Sequence, residues 1–521
     1  MRVVEDLAFS AQACNACHGP EGIDVHGGYY AASDGGEPCL TCHGVDTVPS
    51  LAVVGHGYHS GIATWEDPQE PIDITFPTYM NNCSICHAED AQLTAANAMP
   101  VVAEACFTCH GSMEGIPFVP GSAAEITHAN IVDGCEACHA GQIGGIPQTV
   151  ADAHNGAVTG RGGIIWDGVD TSVTEGAKFD WQITSVVDDG ADLSISWTVT
   201  YDDGVAPVGL DPCNADPAAG PLFFADEDAD GRSLGNLSIL RNYAQGQDFI
   251  LGTDANEAGQ PGSSPGVNNA NTTCANGVAT TVVAVEATDA TVGRVAIQGK
   301  PRVESPDPDD ADGLMQVRAK TPTFDWVIGD GAPADPARRA VVDTSLCLSC
   351  HVGSLYQHGG NRVDNVDMCY LCHNPAANDQ YVRVDEFGGV DASEAYDGLA
   401  GQAFGIKEMV HAVHPAGELG NPVVIYRGRG IYGFAASEAD LNNWPSGANC
   451  TDARGRTGSN YFTVVGSDPA TATADTCQPH NFESPTYPRG LYDCAACHVA
   501  GVNLLPDPTV AMATTVDAGA A

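Results

Sequence analysis

The pentapeptide C-x-x-C-H occurs eight times in this chain of 521 residues. Its Cys and His frequencies would produce roughly 0.02 copies by chance, so the repetition has a chemical cause. The pattern is typical of c-type haem attachment: two thiols add to the porphyrin vinyl groups, and the following His binds the iron from one side. Zinc sites and thioredoxin-like centres also use C-x-x-C pairs, but neither requires a His after every second Cys. The predicted attachment and proximal residues are Cys14, Cys17 and His18; Cys39, Cys42 and His43; Cys83, Cys86 and His87; Cys106, Cys109 and His110; Cys135, Cys138 and His139; Cys347, Cys350 and His351; Cys369, Cys372 and His373; and Cys494, Cys497 and His498.

The histidines outside these motifs are candidate distal ligands. The chain has 17 His, so nine remain. Haem iron has a second axial position that the motif leaves open, and His is its commonest partner in electron-transfer cytochromes. Met80, Met99 and Met113 also lie near motifs, but the supply of His makes them unnecessary. We predict His480 as the surplus residue, and the predicted distal ligands are His26, His56, His59, His128, His154, His358, His411 and His414.

The two halves of the chain repeat the same order of motifs. Each half has two attachment motifs separated by a His-Gly-Gly, then an H-x-x-H pair, then a third motif. The H-x-x-H pairs are His56 with His59 and His411 with His414. On a helix, residues three apart share one face, so each pair could reach two neighbouring haems. The first half then adds the Cys106 and Cys135 motifs, with His128 and His154 as their partners.

Motif density divides the chain into three predicted domains. Residues 1–158 form a pentahaem domain with about 28 residues per haem, too few for a side-chain core, so the porphyrins must supply the buried apolar mass. Residues 159–340 lack motifs and form an antiparallel β sandwich or barrel. Residues 341–521 form a trihaem domain, which is either a truncated pentahaem group or the end of a natural octahaem variant. The predicted fold is therefore multidomain, with loop-rich, mainly α, haem-packed domains flanking a β domain.

Alternation of apolar and polar residues predicts the strands of the middle domain. Runs at 179–183, 193–199, 280–287 and 294–298 have the period of two that strands require, and turn residues separate them. Four Cys lie outside the haem motifs, and pairing within each segment predicts two disulfides, Cys213 with Cys274 and Cys450 with Cys477. Free buried thiols are the alternative, but covalent haem implies an oxidising compartment.

The chain is strongly acidic, with 67 Asp and Glu against 20 Lys and Arg and a net charge of −47. This charge disfavours nucleic acid and anionic lipid and favours cations, positively charged mineral surfaces or basic partners, with plain solubility as the alternative. Arg362, Arg427 and Arg429 are candidates to pair with haem propionates, or else ordinary surface residues. A possible calcium loop begins at Asp226, Asp228 and Asp230, but Leu237 replaces the Glu expected at its twelfth position, so a solvated acidic turn is the alternative.

Targeting signals are absent from the sequence as numbered. No run of 18 apolar residues exists, and the first residues have no hydrophobic segment of the kind that signal peptides contain. Because haem attachment follows export, we expect a targeting segment to precede residue 1.

Several stretches resemble the OmcA/MtrC family of outer-surface multihaem cytochromes. They are the run Arg339-Ala340-Val341-Val342-Asp343 before Cys347, the H-G-G-N-R at 358–362, the C-H-N-P at 372–375 and the H-x-x-H at His411. The resemblance is strongest from about residue 335 to 420 and weaker, in the correct order, from 10 to 155. The chain departs from the family plan because no β domain precedes the first haem group and the second group has three motifs.

The resemblance implies alternating β and pentahaem domains in which every haem has two His ligands. It implies a branched wire at the cell outer surface that delivers electrons to iron or manganese oxides, flavins or other external acceptors. Its implied partners are an outer-membrane porin–cytochrome complex or other cytochromes, with the periplasm as the alternative location. Two other function classes stay open: a catalytic octahaem enzyme acting on nitrogen or sulfur compounds, and a subunit of a polymeric cytochrome filament that lends His480 to its neighbour.

Overall fold

The structure is a computed structural model that describes most of the chain. The described residues are 9, 11–19, 23–25, 28–30, 39, 42–43, 50–60, 77–113, 116, 122–129, 131, 134–139, 145–159, 163–223, 236–244, 259–286, 288–311, 313–335, 339–351, 355–357, 360–385, 392–393, 395–416, 423–427, 430–434, 461–465, 478–483 and 487–504.

Short helices dominate the described part of the first 158 residues. Three of them begin with a side-chain cap, in which Ser50, Ser122 or Thr149 accepts a backbone N–H of the first turn. The helices are α1 (Ala11–His18), α2 (Leu51–His59), α3 (Asp90–Asn97), α4 (Ala103–His110), α5 (Ala123–His128), α6 (Glu136–His139) and α7 (Val150–His154), with a hairpin of β1 (Ile23–Val25) and β2 (Gly28–Tyr30) after α1.

This first segment has almost no side-chain core. Among its described apolar residues up to His154, the buried ones are Ile85, Val101 and Ala151. A segment of this size that folded on side chains alone would bury many more. Its helices therefore gain little free energy from packing against one another.

The middle of the chain forms antiparallel sheets. A five-stranded sheet has the order β5-β6-β10-β9, with β7 beside β6, and a three-stranded sheet has the order β14-β11-β8. The elements are β3 (Ile165–Trp166), β4 (Val169–Asp170), α8 (Thr171–Gly176), β5 (Phe179–Asp188), β6 (Asp192–Tyr201), β7 (Val208–Gly209), β8 (Asn236–Ala244), β9 (Thr272–Ala275), β10 (Val278–Ala284), β11 (Val292–Lys300), β12 (Arg302–Glu304), β13 (Leu314–Gln316) and β14 (Thr323–Val327).

Both sheets contribute to one hydrophobic cluster. Trp197 and Ile195 from β6 and Ile297 from β11 have no exposed surface, and Trp326 from β14 is 1% exposed. Inward residues alternate with exposed ones along β5, as the sequence predicts for a strand with one buried face. The predicted runs 179–183, 193–199 and 294–298 lie within strands and are confirmed. The run 280–287 overlaps β10 but extends three residues past its end at Ala284.

A disulfide ties the loop after β7 to β9. Cys213 and Cys274 are joined across 61 positions of sequence, as predicted, and both pack against the shared hydrophobic cluster. Cys450 and Cys477 lie outside the described residues, and so do Asp226, Asp228 and Asp230.

The C-terminal segment has short helices and a second antiparallel sheet. Its four-stranded sheet has the order β17-β18-β19-β20. The elements are α9 (Thr344–Leu348), β15 (Tyr356–Gln357), β16 (Arg362–Val363), α10 (Val366–Cys369), α11 (Gln380–Asp385), α12 (Ile406–Val413), β17 (Val423–Arg427), β18 (Gly430–Phe434), β19 (Tyr461–Val465) and β20 (Gln478–Glu483).

The C-terminal segment buries a charged centre. The Arg383 guanidinium is bound by Asp379 at 3.0 Å and by Asp397 at 2.9 Å, and it lies 4.1 Å from the centre of the Tyr426 ring. All three charged side chains are at most 1% exposed. Because a buried charge is costly unless it is paired, the two carboxylates and the arginine stabilise this position only as a set.

The middle sheets contact attachment motifs on both sides. On one side, Arg294 of β11 pairs with Asp367 of α10 at 2.9 Å, next to the motif that begins at Cys369. Leu240 and Ala296 form a small buried cluster with Met368, Leu371 and Cys372 of that motif. On the other side, the Ser84 N–H in the Cys83 motif donates to the Gly168 carbonyl between β3 and β4 at 3.1 Å.

Candidate functional site

The attachment motifs share one local geometry. Helices α1 and α4 contain the Cys14 and Cys106 motifs, and in the other six motifs the backbone N–H of the His donates to the carbonyl of the first Cys at 2.8 to 3.0 Å. This is one helical turn, in which positions i, i+3 and i+4 lie on the same face. The two thiols and the imidazole of each motif therefore point to the same side of the backbone.

Six of the eight proximal His lie beside a predicted distal His. In each pair the ring centres are 5.9 to 6.3 Å apart. The pairs are His18 with His59, His87 with His56, His110 with His154, His139 with His128, His351 with His414 and His498 with His411.

This spacing fits an iron atom between the two rings. A metal–nitrogen bond of about 2 Å on each face, plus about 1 Å from a ring nitrogen to its ring centre, puts two coaxial imidazoles roughly 6 Å apart. The angles between ring planes range from 6° to 89°. That range is compatible with two axial ligands, since each ring can rotate about its bond to the metal without changing the distance.

The H-x-x-H helices pair in the same way in both halves. In α2, His56 lies beside the His of the third motif and His59 beside that of the first. In α12, His411 lies beside His498, which belongs to the third motif of the second half. His414, the residue after α12, lies beside His351 of the first motif of that half. One short helix thus faces two attachment motifs in each repeat.

Two predicted distal ligands, His26 and His358, lie outside the described residues. The side chain of the surplus His480 is likewise outside the description.

Hydrogen bonds to backbone carbonyls orient several of the predicted ligand imidazoles. The distal His59, His128, His154 and His414 each place Nδ1 2.7 to 2.9 Å from the carbonyl four residues earlier in their helix. The proximal His139, His373 and His498 use the carbonyls of Pro147, Phe404 and Val341 at 2.6, 2.7 and 3.3 Å. A carbonyl only accepts, so Nδ1 carries the proton and Nε2 presents a lone pair, the state that binds a metal.

Burial keeps several of these rings neutral. Loss of hydration, together with the nearby His59 and Arg489, lowers the pKa of His18 to about 4. Burial likewise lowers the pKa of His56 and of His351 to about 4, with their neighbouring His adding to the effect. A neutral imidazole is the metal-binding form, so these positions are ready to bind iron at neutral pH.

The first motif of each half contacts its counterpart. The Cys17 Sγ lies 3.8 Å from the Ser349 carbonyl oxygen, and the Cys350 Sγ lies 3.5 Å from the Ala16 carbonyl oxygen. These two contacts are reciprocal, so the first and sixth motifs adjoin each other through Cys17 and Cys350 although they are more than 330 positions apart.

Neighbouring thiols show which other motifs lie close together. At several positions burial raises the pKa of a thiol and the charge of a thiol from another motif raises it further. These are Cys14 beside Cys39, Cys86 beside Cys14, Cys83 beside Cys109, Cys106 beside Cys135, Cys347 beside Cys497 and Cys369 beside Cys347. The first motif therefore adjoins the second, third and sixth, and the sixth adjoins the seventh and eighth.

One predicted propionate partner lines a cavity beside an attachment cysteine. The cavity measures about 310 Å³, and its walls include Arg362, Cys372 and the loop at 260–264. The Arg362 Nε donates to Gln298 Oε1 at 2.7 Å. Arg429 and the side chain of Arg427 are outside the described residues.

Sequence reasoning missed residues that hold the ligands in place. Phe404 supplies the carbonyl that binds His373 Nδ1, and its ring also packs edge-on against that imidazole at 5.8 Å. Arg489 donates to the carbonyls of Ala16 and Cys17 at the end of α1. Neither has a sequence signal, because a backbone carbonyl is independent of residue type and Arg489 is 472 positions from Cys17.

Eight C-x-x-C-H motifs, six of which have a facing imidazole, define a multihaem c-type cytochrome. The family model "Outer membrane cytochrome MtrC/MtrF-like, domains II/IV" matches residues 7–142 and 339–518. The match covers more than half of the chain, so the chain belongs to this family of outer membrane cytochromes. It also covers both motif-bearing segments, in agreement with the internal repeat.

Two solved structures are similar to the chain. MtrC from Shewanella baltica OS185 has a TM-score of 0.44 and 19% identity over 92% of this chain and 69% of that one. The outer membrane decahaem cytochrome OmcA has a TM-score of 0.43 and 18% identity over 70% of this chain and 53% of that one. A search of curated protein sequences found no match. In the part of the chain that the structure describes, no helix is both long and apolar enough to cross a bilayer.

Proposed function

We propose that this chain is an electron conduit at the outer surface of the cell. It holds eight covalent c-type haems and passes single electrons along them to external acceptors such as metal oxides or flavins. The observation that carries the proposal is the set of six His pairs, whose ring centres lie 5.9 to 6.3 Å apart. An iron closed by imidazole on both faces suits electron transfer rather than substrate binding.

In this proposal the two Cys and the His of each motif would hold one haem, and a distal His would be the second ligand of its iron. His26 and His358 would serve the motifs of His43 and His373. The bound haem would supply one-electron chemistry between ferric and ferrous iron. The chain's part is to keep two neutral imidazoles at a fixed separation and to fix their tautomer through Nδ1.

The scarcity of a side-chain core supports haem-packed domains. Up to His154 only three described apolar side chains are buried, yet five motifs lie in this segment. Helices that short are marginal in water unless they pack against something apolar. We propose that the porphyrins supply that surface, which makes residues 1–158 a pentahaem domain and residues 341–521 a trihaem domain.

The contacts between motifs support a branched order of haems. The first and sixth motifs contact each other, so in this proposal their haems lie at the centre of the branched chain of haems. One arm runs from the first motif through the third and fourth to the fifth, and the opposite arm runs from the sixth to the eighth. The second and seventh motifs form side branches next to the centre.

We further propose that residues 159–340 form a β sandwich that braces the two haem groups. The shared hydrophobic cluster of the two sheets supports the sandwich. Contacts with the Cys83 motif at one side and the Cys369 motif at the other support the bracing role. Relative motion of the two haem groups would change the distances over which electrons are transferred. A rigid β domain between them would keep these distances constant.

The charge of the chain bears on its partners. A net charge of −47 favours positively charged mineral surfaces and basic redox proteins over nucleic acid or anionic lipid. Electrons would enter from a porin–cytochrome complex or another cytochrome of the outer membrane. This attraction weakens as salt screens it, so the rate of mineral reduction is expected to fall with ionic strength.

Haem content and spin state test the proposal on the purified holoprotein. We expect eight haems per chain by the pyridine haemochrome assay, low-spin ferric signals in electron paramagnetic resonance, and little binding of carbon monoxide by the reduced protein. A substantial high-spin signal, or carbon monoxide uptake by most of the irons, would instead favour a catalytic enzyme with open iron. Markedly fewer than eight haems per chain would contradict the proposed electron conduit.

A further inference from the structure

The C-terminal end of α1 is held by a side chain from the far end of the chain. The last carbonyls of a helix have no partner within it, and Gly19, at φ +74°, ends α1 by donating its N–H to the Asn15 carbonyl at 2.9 Å. Arg489 then donates to two more of these carbonyls, to that of Cys17 from Nε at 2.9 Å and to that of Ala16 from Nη2. A cation at this end also interacts favourably with the helix dipole.

Arg489 lies where three attachment motifs meet. The Ala16 carbonyl that it binds is also 3.5 Å from the Cys350 Sγ of the sixth motif. Arg489 also contacts Asp493, one residue before the eighth motif, at 3.4 Å. The nearby Tyr487 ring packs edge-on against His414, the partner of His351, at 5.7 Å.

The guanidinium is a largely enclosed positive charge in a strongly acidic protein. Its side chain is 13% exposed, whereas that of Asp493 is 33% exposed and contacts it at a long distance. A positive charge near a redox centre favours the state with the additional electron, and the effect grows as water is excluded. The helix that Arg489 caps carries Cys14, Cys17 and His18, so the charge lies close to the first motif.

We propose that Arg489 is the positioning residue of this junction: it locks the end of α1 against the segment before the eighth motif, and its charge raises the reduction potential of the iron held by His18. This inference rests on the proposed function. The Arg489 charge would make the haem of the first motif easier to reduce than its neighbours in this acidic chain. Electrons from either arm would therefore move towards the junction of the first and sixth motifs.

The test compares Arg489→Gln, Arg489→Lys and the control Arg339→Gln in the full-length holoprotein. Arg339 also donates to a backbone carbonyl, that of Asn503 at 2.6 Å, but it is exposed, so solvent screens its charge. Potentiometric titration followed by absorbance is expected to show a negative shift of one or two of the eight reduction steps in Arg489→Gln. The shift should be much smaller in Arg489→Lys, which keeps the charge, and the Arg339→Gln titration should match the wild type.

Several results would overturn the inference. An Arg489→Gln titration that superimposes on the wild type would exclude an effect of the charge, and equal shifts in the Gln and Lys variants would show that the hydrogen bonds alone matter. If Arg489→Gln loses haem, Arg489→Lys decides the question. A Lys variant with wild-type haem content and a clear negative shift of a reduction step would contradict the charge effect, because Lys keeps the charge. Failure of the proposed function is separate, since it would appear in the wild type as missing haems or high-spin iron.

Discussion

The imidazole rings of His110 and His154 lie 6.2 Å apart between their centres, with an angle of 6° between their planes. They come from α4 and α7, and His154 Nδ1 is 2.7 Å from the Val150 carbonyl of its own helix. Two rings from separate helices that face each other at this distance match the two axial ligands of one iron. Replacement of the distal ring should therefore open a single site.

His154→Ala is expected to leave eight covalent haems and to convert one of them from low-spin to high-spin. Carbon monoxide should then bind about one-eighth of the reduced haem, since attachment depends on the Cys of the motif and not on the distal ligand. The measurements are electron paramagnetic resonance and carbon monoxide difference spectra. His154→Met should stay low-spin with a higher potential at that haem, because thioether ligands favour ferrous iron.

His480→Ala is the matched control for this prediction, as a His that is surplus to the eight sites. It should bind no more carbon monoxide than the wild type. If His480→Ala opens a site and His154→Ala does not, the assignment of distal ligands is wrong.

Loss of the disulfide should weaken the sheets without affecting haem attachment. Cys213 and Cys274 close a loop across 61 positions and pack on the hydrophobic cluster. Restriction of the unfolded chain by a loop of that length contributes about 2–4 kcal/mol. We expect Cys213→Ser with Cys274→Ser to lower the thermal unfolding temperature of the β region, as measured by circular dichroism. Haem content should be unchanged, and an unaltered unfolding temperature would argue against a stabilising role.

Local spacing made some features predictable from the sequence. A spacing of three places both His of an H-x-x-H pair on one face of a helix, and each pair is indeed in or at the end of a helix. Alternation of apolar and polar residues likewise identified β5 and β6. The start of β10 was misplaced by two residues, because Asn276 and Gly277 form the two-residue turn that begins it. Their φ values of 54° and 76° are those of a hairpin turn, so the Asn-Gly pair was the available signal.

Long-range relationships were not predictable. The sequence supplied the distal His but not their partners, because whether His56 faces the first or the third motif depends on how helices pack across the whole domain. The contact of Cys17 with the sixth motif likewise depends on how helices pack across the chain. Such contacts depend on tertiary packing around the haems. The local periodicity of the sequence contains no information about that packing.

The buried pair of Asp379 and Arg383 should be essential for the stability of the C-terminal segment. Asp379 accepts two hydrogen bonds from Arg383 at 3.0 Å and the backbone N–H of Gln402 at 2.6 Å, close to the Phe404 carbonyl that orients His373. Asp379→Asn leaves a buried guanidinium with only part of its counter-charge, which costs about 3–5 kcal/mol. Urea unfolding of the holoprotein measures this loss.

Lys407→Ala removes the exposed partner of an ion pair with Glu408, whose own side chain is 16% exposed, and serves as the control. Because the Lys407 ammonium is screened by solvent, the change in the free energy of unfolding should stay within about 1 kcal/mol. Equal effects of Asp379→Asn and Lys407→Ala would show that the buried pair has no special role.

Asp364 should make stability fall as pH rises through the weakly acidic range. Burial raises its pKa to about 6, although the Leu355 N–H, Lys320 and Arg318 act in the opposite direction. Because the folded pKa exceeds the unfolded value of 3.8, the folded state binds the proton more tightly. The carboxyl therefore contributes most to stability below about pH 4, and this contribution is lost as pH rises to about 6.

Asp364→Asn removes that dependence with little change in shape. Asparagine tolerates the φ of 50° at this position and can still accept the Leu355 N–H. We expect the variant to be more stable than the wild type by about 1–2 kcal/mol at pH 7, after allowance for partial exposure of the carboxyl, and equal to it at pH 4. Urea unfolding at pH 4, 5, 6 and 7 gives the comparison, with Asp203→Asn, an exposed carboxylate, as control. A stabilisation that is the same at every pH would mean that the Asp364 proton is not its cause.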